Sequence, residues 1–219
     1  MSARSAFAAA TRANFLASRR SPFLPLLALA LGLALIVVAF PRLMAAIYAA
    51  PTSAVALKLD REPATVTPAE LLAARRALQL ALAWEDDGVL AVRLARVDLV
   101  LAAREFRAGG DPLAFVDDTI EAARRGLTAA PAQARGWLLL AEATLARTSD
   151  PGAIVPFLLQ SIAASPHDVW LAPNRAELGV RAWPWLDSKA RAAVAEQIRL
   201  TSMRWPDSTV EIARRAGDP

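Results

Sequence analysis

Hydrophobic positions follow two different patterns along this chain. From Phe23 to Phe40 the run FLPLLALALGLALIVVAF carries no charge, and the uncharged stretch extends over Ser21 to Pro41. A helix crossing hydrocarbon needs about 20 apolar residues, so this run predicts one membrane-spanning helix, taken with its extension as 22–48. From Pro68 onward the period becomes that of amphipathic helices, with Leu71, Leu72, Arg75, Leu78 and Leu82 at three- and four-residue spacings. Thr67-Pro68-Ala69-Glu70 supplies an N-cap, a first-turn proline and an early acid, which places a first helix at about 68–84.

Trp84-Glu85-Asp86-Asp87-Gly88 closes that helix, and Val89, Val92, Leu94, Val97 and Leu101 carry a second to about Arg107. Gly109-Gly110-Asp111-Pro112 is a turn followed by a third helix over about 112–129. Ala, Leu and Arg dominate and β-branched residues are scattered, so no strand pattern competes and the expected fold class is all-α. Pro51, Pro63 and Pro68 punctuate a stretch without sustained period, read as a semi-extended linker over 49–67 that holds the distal part off the bilayer. The remaining divisions are a basic tail over 1–21, a helical repeat domain over 68–215 and a disordered end over 216–219.

Charge sets an expected orientation. Arg4, Arg12, Arg19 and Arg20 precede the apolar run without any acidic residue, whereas only Arg42 and Lys58 follow it before Asp60. Basic residues concentrate on the cytoplasmic side of a span, so the amino terminus is expected in the cytoplasm and the rest in the periplasm of a bacterial inner membrane. A cleaved signal peptide is the competing reading, because Ala54-Val55-Ala56 has the small-x-small form of a cleavage site. A signal's apolar region is typically about 7–15 residues and lies close to its cleavage site, which this run does not match. Beyond Asp60 the chain holds 19 basic and 20 acidic residues, so its high isoelectric point reflects the region around the apolar run and not a nucleic-acid surface. With no cysteine, disulfides and thiolate metal sites are excluded.

Three segments share a layout ending at Pro131, Pro166 and Pro206, with a small residue, Gly126, Ser161 or Thr201, five positions earlier. After Pro131, Trp137-Leu138-Leu139-Leu140-Ala141 places an aromatic, a leucine and a small residue at the first, fourth and fifth positions of a helix. This arrangement resembles the tetratricopeptide repeat, whose tryptophan, leucine, small residue and closing proline recur about every 34 residues. The resemblance covers 112–206 and is carried by the repeat from Trp137 to Pro166; after Pro166 the matching positions hold Ala172 and Arg175. It implies a solenoid of α-hairpins behind the apolar helix, with a groove for envelope proteins or peptides lined by the first helix of each hairpin. By position that helix contributes Arg135, Leu138 and Glu142.

Candidate chemistry is sparse. His167 is the only histidine and sits in a turn, and neither Glu85-Asp86-Asp87 nor Asp117-Asp118 has the alternating ligand spacing of a calcium loop. No phosphate-binding glycine loop, nucleophile elbow or dinucleotide fingerprint is present, so no catalytic residue, metal or cofactor is assigned and the chain is read as a non-enzyme. Six tryptophans are expected mostly as wedges between helices. The segment 173–187 draws two readings: Arg175, Arg181 and an exposed tryptophan as a docking patch, or Trp183 and Trp185 sealing a junction broken by Pro184. The expected function is a membrane-anchored scaffold for an envelope assembly, such as polysaccharide export or secretion, with the lipid bilayer as its second partner through Phe23 to Phe40. Oligomeric state is left open. Two alternatives stand beside it: an envelope enzyme or regulatory subunit acting on glycan or peptide, for which Glu142 near Glu177 is the carboxylate pair to look for, and a self-associating spacer. For the spacer the span offers only Ala28 and Gly32 as a small-x3-small pair.

Overall fold

The computed structural model describes residues 23–217, so the basic tail with Arg4, Arg12, Arg19 and Arg20 lies outside the described residues, as do 218–219. The described residues form α-helices α1 (Phe23–Ala49), α2 (Thr52–Arg61), α3 (Pro68–Trp84), α4 (Gly88–Arg107), α5 (Leu113–Ala129), α6 (Ala134–Thr148), α7 (Val155–Ala164), α8 (Ala172–Arg181), α9 (Ser188–Arg204) and α10 (Pro206–Gly217). Short 3-10 turns at Pro63–Thr65 and Trp183–Trp185 complete the set, and no strand occurs among the described residues. The chain is all-α. Residues 216 and 217, expected in a disordered end, close α10.

Two compact units divide at Leu43 and Met44. The described part of the first is the apolar portion of α1, in which Leu26, Leu29, Leu33, Ile36 and Val38 are all exposed. Over Pro25–Ala49 this helix is long and apolar enough to cross a membrane.

In the second unit each helix packs on its successor, most extensively α4 on α5, α5 on α6, α6 on α7 and α8 on α9; α4 also touches α6, and α6 touches α8. Local sequence sets the ends. Thr67 Oγ1 accepts from the Glu70 amide and the Glu70 carboxylate accepts from the Thr67 amide at 2.7 Å, a reciprocal cap on α3. Asp87 accepts from the amides of Val89 and Leu90 to start α4, and Asp187 from Ala190 to start α9. Ser149 ends α6 in the left-handed region at φ 54°.

The stretch expected to be an extended linker is instead largely helical, since α2 spans Thr52–Arg61. Its prolines explain this: Pro51 precedes the helix, Pro63 opens a 3-10 turn and Pro68 begins α3, so none falls inside a helix. Leu59 is buried with Ala45, Ala49 and Leu71 in one core cluster, and Lys58 pairs with Glu70 at 2.6 Å.

The tryptophans also depart from expectation, with Trp84, Trp170, Trp183 and Trp185 exposed and Trp137 and Trp205 half-buried. Alanines occupy the spaces between helices instead; Ala91, Ala95, Ala123, Ala141, Ala143 and Ala172 are wholly inaccessible. Small side chains let helix axes come close, leaving no room for an indole. Gly126 shows how close: a Cβ there would stand 2.7 Å from Val92 Cγ2 and 2.9 Å from the Gly88 carbonyl.

Candidate groove on alternate helices

One face of α4 carries Arg96, Leu99, Val100, Ala103, Arg104 and Arg107, and one face of α6 carries Arg135, Leu138, Leu139 and Glu142. Both sets follow the three- and four-residue steps of a helical stripe, so each lies along one side of its helix. Together with Trp170, Leu171 and Asn174 at the start of α8, and with Leu59, Asp60, Pro63 and Ala64, they line a groove of about 760 Å³. Its floor is aliphatic and its rim charged.

Asp60 is the focus of that charge. Its Oδ1 lies 2.7 Å from Arg96 Nη1 and 3.6 Å from Arg135 Nη2, so two guanidiniums share one carboxylate oxygen. Asp60 is the penultimate residue of α2, where the exposed carbonyls at a helix carboxyl end disfavour an anion; the arginine pair offsets this. Burial lowers the Arg96 pKa, and the neighbouring Arg135 lowers it further while Asp60 opposes both. Arg104 donates to the Val66 carbonyl and, at 3.2 Å, to the Pro63 carbonyl, holding the turn after α2 against α4. Trp170 is exposed at the far edge, its ring tilted against Trp205 at 5.6 Å.

Beside the groove, Glu142 also lines a second pocket of about 720 Å³ with Asn174, Glu177 and Arg181. Glu142 is half-buried and accepts from Asn174 Nδ2 at 2.7 Å. Burial raises its pKa, the Asn174 bond works against this, Glu177 raises it again, and Arg135 and Arg96 pull it down. Glu177 accepts from Arg181 at 2.7 Å across one turn of α8.

Of the residues singled out in the sequence, Arg135, Leu138 and Glu142 do share one groove. Arg181 lies outside it, exposed in the second pocket. Arg175 is corrected outright, being wholly buried and closed to any partner. Its Nε donates to Ser161 Oγ at 3.0 Å, Nη2 to the Ser161 carbonyl at 2.6 Å, and Nη1 to the Ser165 carbonyl at 2.8 Å and Gln197 Oε1 at 3.3 Å. It ties α7, α8 and α9 together. His167 is an exposed turn residue, and no group of three or more metal-ligating side chains occurs among the described residues.

Asp60, Arg96, Arg104 and Arg107 entered the groove without having been singled out. The signal was present as a stripe, Arg96, Leu99, Val100, Ala103, Arg104 and Arg107, distinct from the buried stripe Val97, Leu101 on the same helix. A third ionic cluster joins α3, α4 and α5: Arg75 donates to buried Asp98 at 2.6 Å and to Asp118. Burial lifts the Asp98 carboxyl to about 6 against the pull of Arg75. On Arg75 burial opposes the charge, but the two carboxylates outweigh it and its pKa rises.

No family model matches the chain, and no curated protein matches it either.

Proposed function

We propose that this chain is a membrane-anchored scaffold of the bacterial envelope, fixed in the inner membrane by α1, that binds partner proteins on a tetratricopeptide-like helical domain in the periplasm. The observation that carries the reading is the groove: its floor comes from α4, α6 and the start of α8, alternate helices in chain order, as expected where the first helix of each hairpin faces a partner. The apolar exposed α1 and the basic residues ahead of it support the anchor and its orientation. A photo-crosslinking residue at Leu99 or Ala103, inside the groove, is expected to trap envelope proteins in living cells, whereas one at Arg124 on α5 is not. A reporter fused after residue 219 that is active only in the cytoplasm would end this version.

The enzyme reading keeps one specific support, Glu142 and Glu177 in one pocket with the pKa of Glu142 raised. Hydrolysis of a glycan needs a general acid, and a carboxyl that holds its proton more tightly than usual is suited to that role. Incubating the purified chain with peptidoglycan fragments and following product release by mass spectrometry tests it; turnover lost in Glu142→Gln would overturn the scaffold.

A further inference from the structure

Building on the groove reading, we infer that the groove takes an acidic segment of a partner protein, carboxylates on Arg96, Arg135 and Arg107 and an apolar side chain on the floor of Leu99 and Leu138, with Asp60 occupying the place of one ligand carboxylate. Four arginines, Arg96, Arg104, Arg107 and Arg135, meet two carboxylates, Asp60 and Glu142, in this groove. The chain beyond Asp60, by contrast, carries 19 basic and 20 acidic residues. Positive charge is therefore concentrated here.

Arg96 and Arg135 repel each other unless an anion stands between them, and Asp60 Oδ1 is that anion. Guanidinium forks match carboxylates in shape as well as charge, so the site already displays the recognition it would offer a ligand. Asp60 is nearly half exposed, at 45%, which leaves it displaceable. Arg107 is exposed, and none of the ion pairs among the described residues includes it. Between these cations lie Leu99, Val100, Ala103 and Leu138, a surface that a polyanionic glycan would leave wet and a leucine side chain would cover. The volume, about 760 Å³, is in the range that holds a few side chains.

The test uses the full chain in phosphatidylcholine nanodiscs and a short fluorescein-labelled peptide of glutamates around one leucine, read by anisotropy against empty nanodiscs. Binding is expected, weakened about tenfold by Arg96→Ala with Arg135→Ala and about threefold by Arg107→Ala. Asp60→Asn is expected to tighten it about threefold or more, because the internal competitor is gone while the fold stays intact. Unchanged or weaker binding by Asp60→Asn would overturn the proposal. So would absence of binding, or equal affinity for the peptide with leucine replaced by serine, for its lysine counterpart or for an oligouronate. If groove crosslinks form in cells while the peptide result is negative, the scaffold survives and the acidic ligand does not.

Discussion

Single residues carry much of the packing logic, and Arg175 carries most. A buried guanidinium is tolerated only when its donors are satisfied, and here the four acceptors it meets are neutral: a hydroxyl, two carbonyls and an amide oxygen. Burial accordingly lowers its pKa to about 10, with Asp168 opposing from a distance. Arg175→Ala leaves those acceptors unpaired and opens a cavity, so the expected cost is about 3–5 kcal/mol, read as a fall of roughly 10 °C in melting temperature. Arg175→Met, which keeps volume without donors, is expected to fall nearly as far. Sequence could not separate this arginine from the exposed Arg181, because both sit in the same short helix and only the fold decides which faces inward. Asp98 makes a prediction with a sign. Its folded value of about 6 lies above the ordinary 3.8, so the folded chain holds that proton more tightly; the resulting stability is complete below about pH 4 and lost as pH rises past 6. Relative to Asp98→Asn, the native chain is expected to lose on the order of 3 kcal/mol between pH 4 and pH 8, measurable by paired denaturant titrations.

Elements were legible where their chemistry is local. The N-cap at Thr67 and the turn at Gly109-Gly110 signal helix ends through nearest neighbours alone, and α3 indeed spans Pro68–Trp84 and α4 ends at Arg107. Thr67→Ala is expected to cost about 1 kcal/mol through loss of that cap. Glu70, bonded by Lys58 and by the Thr67 amide and hydroxyl, titrates at about 2, below its ordinary 4.5; its contribution is present above pH 4.5 and fades as pH falls toward 2. Two elements misled for one reason, that proline and tryptophan report on contacts the local pattern does not contain. Pro51 and Pro63 fall between helices and so bracket α2 without interrupting it. The indoles sit outside because alanine holds the interior, as at Ala91 and Ala141. The close approach of α5 to α4 gives the matching test. Gly126→Ala pushes a methyl against Val92 and the Gly88 carbonyl, and overpacking of this kind is expected to destabilise by about 1–3 kcal/mol.

At the scale of the whole chain, the question is whether the apolar helix stays attached. Small-x-small at Ala54-Val55-Ala56 reads as a cleavage site in the linear sequence, but those residues lie within α2, with Val55 packed against the core. A peptidase takes its substrate extended, so cutting there first requires α2 to unfold. Cleavage would also remove Ala45, Ala49 and Thr52, all buried in the helical unit that begins at Met44. The folded domain thus includes the last turns of the apolar helix, which favours retention over processing. Mass spectrometry of the chain isolated from cells is expected to find no amino terminus after Ala56, and the chain should resist extraction by alkaline carbonate. Leu31→Arg with Leu35→Arg places two cations in the exposed apolar stretch, at about 3 kcal/mol or more each for a helix centre. That double variant should be extracted or degraded, and the native chain appearing in the carbonate supernatant would break the link between α1 and the membrane.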